Sequence, residues 1–137
     1  MPVEVILDAS VAAKAFITET GSDAARAFLA SGMRLVAPDL ILIELANVAV
    51  KRHRNGDIPR SQAEAMVAAA PSLIHEIVPL EGLLDRAFAL AVDHGVSTYD
   101  AVYVALAEAR GCDLVTADTR LIAKLAQAGV SVTARTV

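Results

Sequence analysis

Cysteine occurs once in the 137 residues, tryptophan not at all, and aromatic side chains make up 4%. A single thiol, Cys112, excludes an internal disulfide, and its place at the start of an apolar strand reads as a small buried hydrophobe. No uncharged apolar run approaches the length that spans a bilayer. Glu4 stands where a secretory signal would need a basic flank and an apolar stretch, so a cytoplasmic protein without a membrane partner is expected. Positive charge is not in excess: 12 Lys and Arg face 16 Asp and Glu, a net charge of -4, which gives no global attraction to nucleic acid. What is abundant is small and branched. With 55% hydrophobic residues and few aromatics, the core must be built from Ala, Val, Leu and Ile in close layers. That favours an α/β architecture, and the length suits a single domain over residues 1–137.

The stretch Val3-Glu4-Val5-Ile6-Leu7-Asp8-Ala9-Ser10 reads as a buried central strand that hands over directly to a helix, with Ser10 a candidate N-cap. Helices are expected over Val11 to Ile17 and Ser22 to Ala30, then a strand over Met33 to Ala37. Asp39 is placed to cap a long helix from Leu40 to Arg54. Pro59 precedes a capping box, Ser61-Gln62-Ala63-Glu64, which opens a helix ending near Pro71. A third strand follows at Leu73 to Val78. Two helices, Leu80 to His94 and Tyr99 to Arg110, are stopped by Gly95 and Gly111. Asp113 to Thr116 is the fourth strand, Asp118 begins a helix to Ala128, and Val130 to Ala134 is the last strand. Strands alternating with helices imply right-handed crossovers and a parallel sheet covered by helices.

Asp8 falls at the carboxyl edge of the first strand, where open α/β sheets bind ligands; Asp before a helix is also an ordinary cap. Asp118 repeats the geometry after strand four, with Ser10 and Thr116 as hydroxyl partners near the two acids. Asp100 lies in the first turn of a helix that is apolar almost all round. There the backbone N–H groups and the dipole are expected to hold it ionised. Glu44 is the informative one. It shares a helical face with Leu40, Ile41, Asn47 and Val48, caps nothing, and is too distant from Lys51 and Arg52 to pair with them by neighbour spacing, so if this face is buried the carboxylate needs another partner. Two carboxylates about 4 Å apart repel by roughly 4 kcal/mol at an effective dielectric of 20, so four converging acids call for a divalent cation. Hard oxygen donors without His or Cys point to Mg²⁺ or Mn²⁺ rather than zinc.

Lys51, Arg52, His53 and Arg54 form a basic cluster, with Arg60 across the turn Asn55 to Pro59. Cations at a helix C-terminus oppose its dipole, yet this cluster is denser than one dipole requires, and Lys51, Arg52, Arg54 and Arg60 are candidate contacts to an anionic partner such as a phosphate backbone. Tyr99, Tyr103, Phe16 and Phe28 are spaced as core aromatics or as base-stacking groups. His75 and His94 flank apolar segments and read as structural.

The four acids in this order and spacing resemble the PIN-domain ribonucleases, in particular the VapC-type toxins of toxin-antitoxin pairs. Asp8 in Leu-Asp-Ala-Ser resembles the family's first acid, Glu44 in the long helix its second, Asp100 in Tyr-Asp-Ala its third and Asp118 in Thr-Ala-Asp its fourth. The resemblance covers essentially the whole chain. It implies a three-layer fold with sheet order 3-2-1-4-5, a homodimer, metal-dependent cleavage of RNA, and neutralisation by a cognate antitoxin whose tail occupies the site. Asp8, Asp100 and Asp118 are then expected to bind metal, Glu44 to ligate it or orient the attacking water, and Ser10 and Thr116 to support the acids from behind. A receiver domain would need adjacent acids after strand one and a Lys near the last strand. A haloacid-dehalogenase-type phosphatase would need a second Asp where Ser10 stands. A catalytically silent RNA-binding or partner-binding module stays open.

Overall fold

A computed structural model describes residues 2–137. Five strands form one parallel sheet in the order β3-β2-β1-β4-β5, so the sheet order implied by the resemblance is the order found. β1 (Glu4–Leu7) is central, because Val5, Ile6 and Leu7 are branched apolar residues with at most 1% exposure and are covered on both faces. It pairs with β2 (Arg34–Pro38) through Val5↔Leu35 and with β4 (Asp113–Val115) through Ile6↔Leu114. β3 (Glu76–Val78) and β5 (Ala134–Arg135) are the edges. The connections are α1 (Ala9–Phe16), α2 (Ser22–Leu29), α3 (Leu40–Arg54), α4 (Arg60–Leu73), a 3-10 turn at Leu80–Leu83, α5 (Leu84–His94), α6 (Thr98–Arg110) and α7 (Thr119–Gln127). α6 is buried continuously from Ala101 to Ala107 and packs across β1, β2 and β4, which explains its apolar circumference. Gly95 and Gly111 end α5 and α6 in the left-handed region, where a side chain would be strained.

Several local expectations are corrected. Ser10 is not a cap: α1 already begins at Ala9, and the Ser10 hydroxyl is turned to Asp8. Asp39 precedes α3 but makes no cap bond; its Oδ1 accepts from the backbone N–H of Leu80 at 3.1 Å, tying β2 to the start of the 3-10 turn. The capping box does not form, because Pro59 supplies the extended residue ahead of α4 and Ser61 is already helical. Glu64 instead meets Arg60 one turn back at 3.0 Å. Pro71 lies inside the last turn of α4, where it removes the i→i−4 donor to the Val67 carbonyl, and the helix runs only two residues further. The last strand begins four residues later than its hydrophobic run, since only Ala134 and Arg135 reach a position that pairs with β4. Val130 and Val132 pack on the core without joining the ladder.

Candidate functional site

The parallel sheet sends the ends of β1 and β4 to the same edge, and the first turns beyond them meet there. Asp8 is 8% exposed. Its carboxylate is oriented by two hydroxyls: Thr116 Oγ1 donates to Oδ2 at 2.7 Å and Ser10 Oγ donates to the same oxygen at 2.8 Å. This is why Asp8 makes no side-chain cap to α1. The same hydroxyls accept from the next strand's turn, Thr116 Oγ1 from the Asp118 N–H at 3.1 Å and Ser10 Oγ from the Ala117 N–H at 2.9 Å. Ser10 and Thr116 therefore lock the two strand ends together. Asp118, which is exposed, does cap its helix: Oδ1 accepts from the N–H groups of Arg120 and Leu121.

Asp100 and Glu44 arrive from α6 and α3. Both are half-buried. Ser97 caps α6 by accepting from the Asp100 N–H at 3.0 Å, which fixes the turn that carries the acid. The helix start does not dominate at Asp100, whose carboxyl is displaced upward from its ordinary range. Burial pushes its carboxyl upward first, the nearby Ser97 hydroxyl, acting on the carboxyl itself, lowers it, the charges of Asp8 and Asp118 raise it, and Lys124 lowers it. Glu44 behaves alike. Burial raises its carboxyl, a hydrogen bond from Tyr103 lowers it, and the charges of Asp8 and Asp100 raise it. Each of these four acids thus feels at least one other, although they stand on four separate segments.

The acids are gathered but not closed. Among the described residues, no group of three His, Cys, Asp or Glu side chains stands ready to hold a metal ion. The chemistry of the donor set nonetheless suits a hard divalent cation: the acids are all carboxylates, two of them are shifted toward the neutral form by burial and mutual charge, and no His or Cys belongs to the group.

The partner that Glu44 requires is Tyr103, whose hydroxyl donates to Oε1 at 2.7 Å. Sequence reasoning placed Tyr103 among core or stacking aromatics. The signal available was weak: an acid on an apolar helical face and a tyrosine within the aliphatic run Ala101 to Ala107, 59 positions apart. Tyr99, by contrast, is 65% exposed and lines a cavity of about 370 Å³ with Leu40, Ile43, Glu44 and Asn47.

The basic residues lie elsewhere. From Glu44 to Arg54 is ten residues of helix, about 15 Å at 1.5 Å per residue. Arg52 is engaged by Glu19 and, at 3.4 Å, by Asp57, and Arg60 by Glu64. Lys51 and Arg54 are exposed; Arg54, with Arg60, borders an apolar groove of about 510 Å³ between α3 and α4. His53 and His75 are spent on backbone, at Ile58 O and Leu35 N–H.

A family model described as PIN domain matches residues 5–127. Ribonuclease VapC3 of Pyrobaculum aerophilum is 34% identical over 124 residues, covering 89% of this chain and 95% of that protein. Among solved structures, PAE2754 from Pyrobaculum aerophilum superposes with a TM-score of 0.72 at 26% identity, covering 96% of this chain and 83% of that one. VapBC2 from Rickettsia felis, bound to a DNA fragment from their promoter, shares the fold at a TM-score of 0.70 and 14% identity, covering 98% and 99%.

Proposed function

Because the chain belongs to the PIN-domain family, we propose that it is a metal-dependent endoribonuclease of the VapC type, hydrolysing RNA phosphodiester bonds and held in check by a cognate antitoxin. One observation carries the reading: acids from β1, α3, α6 and the turn after β4 meet at the carboxyl edge closely enough for charge on one to raise another. Asp8, Asp100 and Asp118 are the residues that would hold Mg²⁺ or Mn²⁺, directly or through water. When bound, the cation offsets the charge of the acids and of a phosphodiester and makes water easier to deprotonate. Asp8 is kept in place by Ser10 and Thr116, and Asp118 by its own helix. Glu44 orients the water that attacks phosphorus, and Asp100 holds the opposite side of the site at the start of α6.

Family membership also brings an antitoxin tail seated on the acid-lined edge and a homodimer, alone or within a toxin-antitoxin hetero-oligomer. Leu84, Phe88 and Val92, one exposed face of α5, give a second copy an apolar surface to cover. The site of action is the cytoplasm. A reduced lone thiol suits it, and no helix of the described residues is long and apolar enough to cross a membrane.

Incubation with structured RNAs tests the activity. Cleavage is expected in Mg²⁺ or Mn²⁺ and absent in EDTA; RNA that is bound but intact under every condition would make the chain a silent binding module instead. The phosphate contacts are read from salt. The double variant Lys51→Gln, Arg54→Gln is expected to lower the slope of log affinity against log salt by about 1.4 on single-stranded RNA, at roughly 0.7 per phosphate contact. An unchanged slope would remove these residues from the RNA path. Arg52 and Arg60 are poorer probes, because neutralising them also breaks the pairs with Glu19 and Glu64.

A further inference from the structure

Glu44 stands on a helix, its carboxylate half-buried, and among the described residues a single side chain donates to it. That donor is the Tyr103 hydroxyl, 2.7 Å from Oε1, on a residue 1% exposed in the central helix α6. We propose that Tyr103 is a positioning residue for the cleavage reaction: it pins one oxygen of Glu44 so that the other is presented to the attacking water, without itself touching RNA. The inference rests on the reading of Glu44 as the residue that orients this water.

Three features make Tyr103 suited to the task. Its ring is fixed among the core side chains of α6, so the hydroxyl has no freedom to follow a wandering carboxylate. The hydroxyl remains a donor, since burial and the charges of Glu44 and Asp8 hold the phenol far above its ordinary range of ionisation. And α6 carries Asp100 in its first turn, with Tyr103 three positions on. One rigid helix therefore sets both the third acid of the cluster and the orientation of the second. A glutamate side chain has three rotatable bonds, and a group 1 Å out of place costs a reaction heavily. The Tyr103 bond limits that freedom on the side facing the core. A purely structural role would make the hydroxyl matter to unfolding and leave turnover per folded molecule untouched.

Tyr103→Phe keeps the ring and removes only the donor. In the full chain with Mg²⁺ or Mn²⁺ and a cleavable RNA, kcat is expected to fall about tenfold, in line with loss of one hydrogen bond to a charged group, with KM within about twofold. Glu108→Gln, which removes a side-chain pair with Arg86 at the far end of the same helix, is the control and is expected to leave kcat as it is. Thermal unfolding of both variants verifies that the assayed protein is folded. A folded Tyr103→Phe with wild-type kcat, or with its loss confined to KM, overturns the positioning role. Glu44→Gln is assayed beside them: if it cleaves as the wild type does, the reading of Glu44 fails and takes this proposal with it, whereas a crippled Glu44→Gln beside a fully active Tyr103→Phe rejects Tyr103 alone.

Discussion

Asp8→Asn is expected to lower RNA cleavage by about two to three orders of magnitude, the scale seen when one preorganised electrostatic contact at a reacting centre is removed. The fold is expected to survive. Asp8 sits in the β1–α1 turn with its main chain already committed: its N–H donates to Val115 O and its carbonyl accepts from Val11 and Ala12. Its Oδ2 receives the hydroxyls of Ser10 and Thr116, and an asparagine carbonyl oxygen receives both equally well in geometry. What disappears is the charge. The two bonds weaken because they are no longer charge-assisted, while repulsion of Glu44 and Asp100 by Asp8 is relieved. Unfolding in urea should therefore shift by no more than about 1 kcal/mol. Asp8→Ala is the contrasting case, since it strands two hydroxyl donors, one of them on a fully buried Thr116, at roughly 1–3 kcal/mol for each donor left without an acceptor. An Asp8→Asn protein that cleaves normally, or one that fails to fold, would return Asp8 to the rank of a structural turn residue.

Asp100→Asn is expected to do two opposite things: to reduce cleavage as severely as Asp8→Asn, and to raise the thermal midpoint of the cation-free protein at neutral pH. The second follows from the sign of the shift. Burial raises the Asp100 carboxyl above its unfolded value, with the charges of Asp8 and Asp118 adding to the effect. A carboxyl raised in the folded state binds its proton more tightly there than in the unfolded chain. The resulting stability is fully present below the ordinary carboxylate range and is lost as pH rises through the elevated value. At neutral pH the ionised acid is thus a burden, and asparagine removes it. The matching observation is a pH scan of unfolding in EDTA. Wild type loses stability on leaving the acid range, and Asp100→Asn loses less, the remainder belonging to Glu44, which is raised by the same causes. A midpoint that falls at neutral pH in Asp100→Asn, or a pH profile identical to wild type, would show that the acids do not strain the fold. Activity bought at the expense of stability is common where like charges are held together for chemistry.

Much of this site is visible in the linear sequence. An Asp at the end of an apolar run, another after the fourth run, and acids on two apolar helices are local features, and their spacing suffices for the family resemblance. The local roles are less visible. Three Asp residues stand immediately before helices, yet Asp118 alone bonds as a cap. Asp8 is claimed by hydroxyls up to 108 positions away and Asp39 by Leu80, 41 positions on. Propensity ranks such residues equally, because it knows nothing of the competing acceptor sites that packing creates. Arg52 makes the same point for charge. Within its own helix it looks free, but Glu19, 33 residues earlier, holds it.

The amino-acid order by itself determined the alternation of strands and helices, the central place of Val5-Ile6-Leu7, and the helix stops at Gly95 and Gly111. These depend on hydrophobic period and backbone preference, which act over a few residues. Tertiary structure alone decided that Tyr103 meets Glu44, that Ser10 and Thr116 share one oxygen of Asp8, and that burial outweighs the helix start at Asp100. Each of those outcomes depends on desolvation and on distance across the fold, quantities that exist only once the sheet has brought remote segments to one edge.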